Sequence, residues 1–350
     1  MSFRWFGDSD PVPLSYIRQI PGMHGIVSAI YDVPVGEVWP LDKIQALKAK
    51  VEAHGLALDV IESVPVHEDI KLGKPSRDAL IANYQETIRN LGKCGIKVIC
   101  YNFMPVFDWT RTSMAKVLPD GSTTLTFSTK EVDEIDTSKG ISLPGWDASY
   151  KPDELKDLLA EYKSVDEERL WQHLSYFLKA IVPVAEASGV KMACHPDDPP
   201  RPIFGLPRIA STRTDYEALF KAVPSKANGI CFCVGSLGSR PDNDVVQMAN
   251  DFAPRIYFAH LRATTIDDQG KSISFTESDH LDGDVNMVDV LRAMLAENKT
   301  RDEAWRIPFR PDHGHRMLDD IAKVRINPGY TGIGRLKGLA ELRGVIRALQ

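Results

Sequence analysis

The 350-residue sequence lacks both an excess of basic charge and any long apolar run. Its 42 lysines and arginines are outnumbered by 48 aspartates and glutamates, and the net charge is −6. Because phosphate binding needs a basic face, this balance argues against nucleic acid as the main partner, although a few local arginines suffice for a small anion. No stretch reaches the roughly 18 uninterrupted apolar residues of a membrane helix, so we expect no membrane association.

Cysteine is scarce, and the first residues lack the features of a secretion signal. The five cysteines are an odd number without framework spacing, which indicates reduced thiols in the cytoplasm. Residues 1–7 contain no apolar core and no cleavage pattern, so no signal peptide is predicted. Since 43% of residues are hydrophobic and 26% are charged, the composition is that of an ordinary globular enzyme. We therefore expect a soluble cytoplasmic protein.

Apolar strand-like stretches alternate with helix-like segments along most of the chain. The eight strand-like stretches are 3–6, 25–31, 57–63, 96–102, 191–195, 229–236, 256–262 and 307–314. This alternation predicts a parallel sheet with right-handed crossovers, and eight strands in a chain of this length indicate a closed (β/α)8 TIM barrel. We expect one domain over residues 1–350. An open doubly wound sheet is the alternative, but no G-x-G-x-x-G follows any strand.

Amphipathic periodicity and capping residues predict the helices between these strands. One helix is predicted over 41–51, ended by Gly55, and a second follows an N-cap at Ser76. Ser164 and Glu167 have the spacing of a capping box at the start of a third helix. Later helices are predicted near 213–222, 241–252, 285–298 and 335–348.

A polar insertion over residues 105–165, after the fourth strand, interrupts the alternation. Within it, the turn 119–121 separates two β-prone stretches at 114–118 and 123–127, which predicts a hairpin. A segment of this length inside a compact fold favours a lid or binding loop. A contact between subunits or a decorative arm is the alternative.

The last four strand-like stretches each end in a residue that can bind a metal. These residues are His195, Cys233, His260 and Asp312. Each one alone is a weak signal, because a strand-end histidine or cysteine more often belongs to the core. In a TIM barrel, however, the C-terminal ends of the strands share one mouth, so the recurrence predicts that the four meet on one divalent ion.

The chemistry of this ligand set leaves the identity of the metal open. Zn²⁺ accepts two histidines, a thiolate and a carboxylate most comfortably, whereas Mn²⁺ normally prefers oxygen. A structural zinc site is an alternative suggested by Cys231 and Cys233, but such sites use paired cysteine hairpins, which are absent. Ligands scattered over several strand ends favour a catalytic site with open positions.

Longer motifs around these residues resemble the mannonate dehydratase family over nearly the whole chain. The motifs are Phe3-Arg-Trp-Phe-Gly7, Tyr101-Asn-Phe-Met-Pro-Val-Phe-Asp-Trp-Thr-Arg111, His195-Pro-Asp-Asp-Pro-Pro200, Cys233-Val-Gly-Ser-Leu-Gly238, Phe258-Ala-His-Leu-Arg262, His280-Leu-Asp-Gly-Asp284, Arg310-Pro-Asp-His-Gly314 and Pro328-Gly-Tyr330. The resemblance implies a TIM barrel that depends on Mn²⁺, with Fe²⁺ as an alternative. It implies dehydration of D-mannonate to 2-dehydro-3-deoxy-D-gluconate in hexuronate (glucuronate) breakdown. We also expect a homo-oligomer, a dimer or larger.

The resemblance implies His313 and Tyr330 as catalytic residues, without deciding which of them removes the C2 proton. A supporting contact to Asp312 is the alternative for His313, and loop packing is the alternative for Tyr330. Asn102 and Arg111 are weaker candidates for binding substrate hydroxyls and the carboxylate. For Asp108 and Trp109, beside Arg111, a structural role is equally plausible.

Two other functions stay open at this point. One is a metal-dependent sugar isomerase or epimerase on a similar barrel, since such enzymes share proton chemistry at C2. The other is a non-catalytic protein with a structural metal.

Overall fold

The structure, a computed structural model, describes residues 1–135, 152–267 and 272–350. Its strands are β1 (Ser2–Arg4), β2 (Gly25–Ser28), β3 (Ala57–Glu62), β4 (Val98–Tyr101), β5 (Ser113–Val117), β6 (Thr123–Phe127), β7 (Lys191–Cys194), β8 (Asn228–Cys233), β9 (Ile256–His260), β10 (Thr264–Ile266), β11 (Phe275–Glu277) and β12 (Phe309–Arg310). Eight of them form one parallel sheet in the order β1-β2-β3-β4-β7-β8-β9-β12. This sheet is a nearly closed barrel, which confirms the predicted TIM-barrel fold.

Helices of the described residues follow most barrel strands and cover the outside of the sheet. They are α1 (Leu14–Ile17), α2 (Leu41–Glu52), α3 (Glu68–Leu72), α4 (Arg77–Lys93), α5 (Thr129–Asp133), α6 (Pro152–Tyr162), α7 (Glu167–Ala187), α8 (Arg213–Ala222), α9 (Val234–Gly238), α10 (Val245–Phe252), α11 (Met287–Asn298) and α12 (Gly332–Leu349). None of these helices is both long enough and apolar enough to span a membrane.

Two predicted helix caps differ in the structure. The capping box of Ser164 and Glu167 is wrong, because Asp166 occupies the N-cap of α7 and accepts the backbone N–H of Arg169. An aspartate is as good a cap as a serine, and here it lies one residue before the helix. Ser76 does occupy the N-cap of α4, but its hydroxyl bonds to the Asp69 carboxylate instead of capping the helix.

The core has one layer inside the barrel and another between the barrel and its helices. Small, branched and aromatic side chains of consecutive strands fill the barrel interior, among them Val27 of β2, Val60 of β3 and Val98 of β4. This filling makes the barrel a packed core rather than a pore. Outside it, the fully buried Phe177 of α7 contacts the rings of Tyr84, 5.1 Å away, and Tyr101, 6.0 Å away.

Four short strands form a second, antiparallel sheet, which we call the cap sheet, in the order β10-β11-β6-β5. The hairpin β5–β6 comes from the predicted insertion, whereas β10 and β11 come from the segment between β9 and α11. The two parts join where Phe275 pairs with Phe127, whose rings stack at 5.6 Å. Residues 136–151 of the insertion lie outside the described residues. Its role as a lid stays a prediction.

The contacts of Phe177 predict a large stability loss when its ring is removed. Phe177→Ala should lower the free energy of unfolding by about 3–5 kcal/mol, because a buried cavity replaces a packed aromatic ring. Chemical denaturation followed by circular dichroism measures this change. Lys179→Ala, at an exposed position of the same helix, is the control and should change stability by at most about 0.5 kcal/mol. Equal effects of the two substitutions would contradict the packing described here.

Candidate active site

A cavity of about 320 Å³ lies where the barrel strands end, the usual location of the active site in this fold. Its volume is at the lower end of the range for small-molecule sites. Charged, polar and aromatic side chains line it, including Arg4, Glu62, Asn102, Asp108, Trp109, His195, Asp198, His260, Arg310, Asp312, His313 and Tyr330.

His195, Cys233 and His260 form a cluster with the geometry of a metal site. Cys233 and His260 are the last residues of β8 and β9, and they pair directly across these parallel strands. His195 follows the last residue of β7. One potential ligand atom from each residue lies within 4.8 Å of the others. Strand register therefore brings together three of the four predicted ligands.

The hydrogen bonds of both histidines leave one ring nitrogen of each for a cation. His195 Nδ1 lies 2.6 Å from the Pro196 carbonyl oxygen, and His260 Nε2 lies 3.1 Å from Glu62 Oε1. Each of these partners can accept a hydrogen bond from the ring, which leaves the other nitrogen facing inward. The two inward nitrogens, His195 Nε2 and His260 Nδ1, are 3.1 Å apart. Lone pairs that converge beside a cysteine fit a divalent metal ion.

The protonation of this cluster also favours a cation. Burial alone would raise the pKa of the Cys233 thiol, but hydrogen bonds and positive charge from His195 and His260 hold it well below its usual value. Burial would lower the pKa of His195, yet the bond to Cys233 and its negative charge raise that pKa to about 10, so a metal ion would bind here by displacing the proton that His195 shares with Cys233. The sulfur is thus a thiolate, the form that binds metals. Ser236 supports it by donating its hydroxyl to Cys233 Sγ at 3.2 Å.

Asp312, the fourth predicted ligand, lies beside the cluster. Its Oδ2 is 3.7 Å from His260 Nδ1, while its Oδ1 accepts a hydrogen bond from Arg310. Its backbone has φ of 66°, a left-handed conformation that costs energy in a non-glycine residue and that is common at functional sites. Metal binding by Asp312 stays a prediction.

Glu62 is a site residue that the sequence analysis missed. It ends β3 and accepts two hydrogen bonds from Arg310, at 2.8 and 3.0 Å, in addition to its contact with His260. Burial would raise its pKa, but the charges of Arg310 and His260 hold the pKa well below the usual value. A signal was present, because Glu62 is the polar residue at the end of an apolar strand, like the predicted ligands.

His313 and Tyr330 both line the cavity and contact each other, with ring centroids 5.0 Å apart. His313 Nδ1 lies 2.8 and 2.7 Å from the two carboxylate oxygens of Glu277. Burial raises the pKa of the Tyr330 phenol, against the opposing charge of Arg310. Asn102 also lines the cavity, and its amide nitrogen donates to Asp108 Oδ2 at 3.0 Å.

Arg111 is not among the residues that line the cavity. Its side chain is fully buried and forms a pair of 2.9 Å hydrogen bonds with Asp198 and two more, at 3.0 and 2.7 Å, with Glu277. All of these bonds go to protein carboxylates. No local pattern in the sequence pointed to Glu277, because this residue lies in the cap sheet and not at the end of a barrel strand.

Comparison with known proteins identifies the family. A model of the family described as D-mannonate dehydratase (UxuA) matches residues 1–350. The chain belongs to the mannonate dehydratase family. A mannonate dehydratase of Streptococcus uberis is 50% identical over 354 residues, which cover 100% of this chain and 98% of the relative. This membership confirms the resemblance seen in the motifs.

One solved structure agrees with this membership, and a second shares the fold. The crystal structure of mannonate dehydratase from Streptococcus suis serotype 2 has a TM-score of 0.90 at 46% identity, covering 100% of this chain and 94% of that one. A structure of D-psicose 3-epimerase has a TM-score of 0.55 at 14% identity, covering 99% of this chain and 98% of that one. At such low identity, the second likeness shows the barrel fold alone.

The thiolate geometry predicts that Cys233→Ser loses metal but stays folded. A serine hydroxyl is a much weaker ligand than a thiolate, so we expect metal affinity to fall by about 100-fold or more. Elemental analysis of the purified protein measures bound metal, and thermal denaturation measures folding. Cys94→Ser, which replaces a cysteine at the end of α4, should keep both. Unfolding of Cys233→Ser would instead support a structural metal.

Proposed function

We propose that this chain is a mannonate dehydratase, a hydro-lyase that converts D-mannonate to 2-dehydro-3-deoxy-D-gluconate and water. The observation that carries the proposal is the family match over residues 1–350. The cavity supports it, because the metal-binding triad lies within reach of acid–base residues in a space of suitable size for a sugar acid. The reaction belongs to glucuronate breakdown, and we place it in the cytoplasm, with the chain acting as a homo-oligomer, a dimer or larger.

The family match also favours dehydration over the isomerase or epimerase alternative. The likeness to D-psicose 3-epimerase concerns the fold alone, so it carries no argument for that chemistry. Both kinds of enzyme remove a proton from the carbon beside a carbonyl or carboxylate group. Only dehydration then expels the C3 hydroxyl and yields a 2-keto-3-deoxy acid.

We propose that His195, Cys233, His260 and Asp312 hold the metal, with Mn²⁺ as the expected ion and Fe²⁺ as the alternative. The convergent lone pairs and the thiolate support the first three ligands. Asp312 supplies the oxygen that a hard ion such as Mn²⁺ prefers. When bound, the metal supplies Lewis-acid stabilisation of the negative charge that develops on the substrate carboxylate.

Substrate contacts follow from the side chains that line the cavity. Arg4 lines it and presents positive charge, so we propose Arg4 for the substrate carboxylate, whereas Arg310 is already held by Glu62 and Asp312. Asn102 remains our candidate for a substrate hydroxyl. The buried position of Arg111 does not support the direct carboxylate contact expected from the sequence.

The environment of Tyr330 suggests the division of acid and base roles. A phenol with a raised pKa stays protonated at neutral pH, so Tyr330 is suited to give its proton to the departing C3 hydroxyl. His313 can accept the C2 proton at Nε2, because Glu277 holds the Nδ1–H of the same ring. We therefore propose His313 as the general base and Tyr330 as the general acid.

The proposed activity predicts metal-dependent turnover of D-mannonate. Protein stripped of metal by a chelator should lose dehydration, and added Mn²⁺ should restore it, because the negative charge on the substrate carboxylate then regains its stabilisation. Fe²⁺ is compared under anaerobic conditions. Chromatography with mass spectrometry distinguishes the 2-keto-3-deoxy acid from an isomer or epimer. Absence of this product with every divalent metal tested would refute the proposal.

The proposed roles predict different behaviour for His313→Asn and Tyr330→Phe. Each substitution should lower kcat by about 10²–10⁴-fold, because each removes one proton-transfer group. In D₂O, Tyr330→Phe should still exchange the C2 hydrogen of recovered D-mannonate, as measured by mass spectrometry, whereas His313→Asn should not. If instead His313→Asn exchanged the C2 hydrogen and Tyr330→Phe did not, Tyr330 would be the general base and His313 the general acid.

A further inference from the structure

We propose that Glu277 is a positioning residue for His313. Its carboxylate holds the imidazole so that Nε2, and not Nδ1, exchanges a proton with the substrate. The inference deepens the proposed function and rests on it. It concerns a residue that does not itself line the cavity.

The contact between Glu277 and His313 fixes which ring nitrogen is available. Both carboxylate oxygens lie within 2.8 Å of Nδ1, so the Nδ1–H is donated to Glu277. The other nitrogen, Nε2, lies 3.7 Å from Asp312 Oδ1 and therefore faces the proposed metal ligands. A carboxylate on one nitrogen of a catalytic histidine sets both the tautomer and the ring orientation that proton transfer requires.

Glu277 is itself fixed by two buried arginines. Arg111 donates two hydrogen bonds to Glu277 Oε1, and Arg262 Nε lies 3.2 Å from the same atom. Both arginines also bind Asp198, at 2.8–2.9 Å. At most 3% of the surface of any of these four residues is exposed. Because the Glu277 carboxylate is buried and paired with both arginines, it keeps one orientation and can act as a rigid hydrogen-bond acceptor.

The remaining neighbours of His313 confine the ring without selecting a nitrogen. Gly329 has φ of +78°, and a Cβ atom built there would approach His313 Cδ2 to 2.9 Å. The rings of Trp109 and Tyr330 lie 5.7 and 5.0 Å from the imidazole. These contacts give the imidazole a narrow slot, and they offer no charged acceptor. Glu277 therefore decides the orientation of the ring within the slot.

The origin of Glu277 in the chain gives the cap sheet a role at the site. Glu277 is the last residue of β11, and Arg111 precedes β5, whereas His313 follows the barrel strand β12. The cap sheet thus brings the acceptor and part of its support to a histidine held by the barrel.

The test compares the full-length, metal-loaded enzyme with its Glu277→Gln variant. A neutral amide removes the charge that holds Nδ1–H, so we expect kcat on D-mannonate to fall by about 100-fold while KM changes by less than about threefold. Bound metal should be unchanged. In proton NMR spectra of protein loaded with diamagnetic Zn²⁺ in place of paramagnetic Mn²⁺, the downfield imidazole N–H signal, identified by its absence from His313→Asn, should be lost or shifted in Glu277→Gln.

Asp267→Asn is the control, because Asp267 directly follows β10 of the cap sheet and accepts hydrogen bonds from Thr276, away from His313. Its kcat and NMR signal should equal those of the wild type. A Glu277→Gln variant with wild-type kcat, or with an unchanged N–H signal, would overturn the inference. If that variant does not fold, Glu277→Asp replaces it. This variant keeps the charge but withdraws the carboxylate by one methylene, and a wild-type kcat and signal there would likewise overturn the inference.

Failure of the proposed function gives a different result. In that case the wild-type protein produces no 2-keto-3-deoxy acid, but the NMR comparison still reports whether Glu277 holds His313.

Discussion

The register of the parallel strands β7, β8 and β9 is the constraint on which the site depends. Side chains alternate between the two faces of a strand, so a slip of one residue would turn Cys233 away from His260. The pairing of these two residues across β8 and β9 places a sulfur and a nitrogen side by side before any metal arrives. The core inside the barrel maintains this register, because its packed side chains fit one alignment of the strands. The same alignment of the strands therefore determines both the geometry of the site and the packing of the barrel.

Buried charge is the second constraint, and it is met by ion pairs between arginines and carboxylates. Glu62 with Arg310 forms one such group, and Asp198 and Glu277 with two arginines form another. A buried ion loses its hydration, and only hydrogen-bonded partners offset that loss. Removing one partner from such a group typically costs about 3–5 kcal/mol, since the other charge stays buried alone. The network therefore resists rearrangement, which suits a site that must hold proton-transfer groups in place.

The barrel and the cluster of His195, Cys233 and His260 could be predicted from the sequence because both leave local signals. His195, Cys233 and His260 each end an apolar run, and the fold brings such ends together. Glu62 carries the same signal at β3, and the same rule applied there would have identified it. The misplaced cap at Ser164 had a different origin, since Asp166 is an equally good capping residue two positions later.

Other features could not be read from the sequence, because they depend on pairing between distant segments. Nothing in the residues around Glu277 indicates that β11 joins a hairpin from the insertion. When that pairing is not known, the sequence alone suggests that Arg111 is an unpaired cation near the mouth of the barrel. Its actual position, behind the cavity wall and between two carboxylates, follows from tertiary structure alone.

The cluster of His195, Cys233 and His260 and the cap sheet differ in the length of the chain loop that must close to form each of them. The metal triad comes from consecutive strands, and its histidines are separated by 65 residues. The cap sheet joins β6 to β11 across 149 residues. Contacts between more distant segments cost more loop-closure entropy and form later during folding. A partly folded chain can therefore assemble the proposed metal ligands before the proposed acid–base residues, so metal content alone would be a poor measure of correctly folded protein.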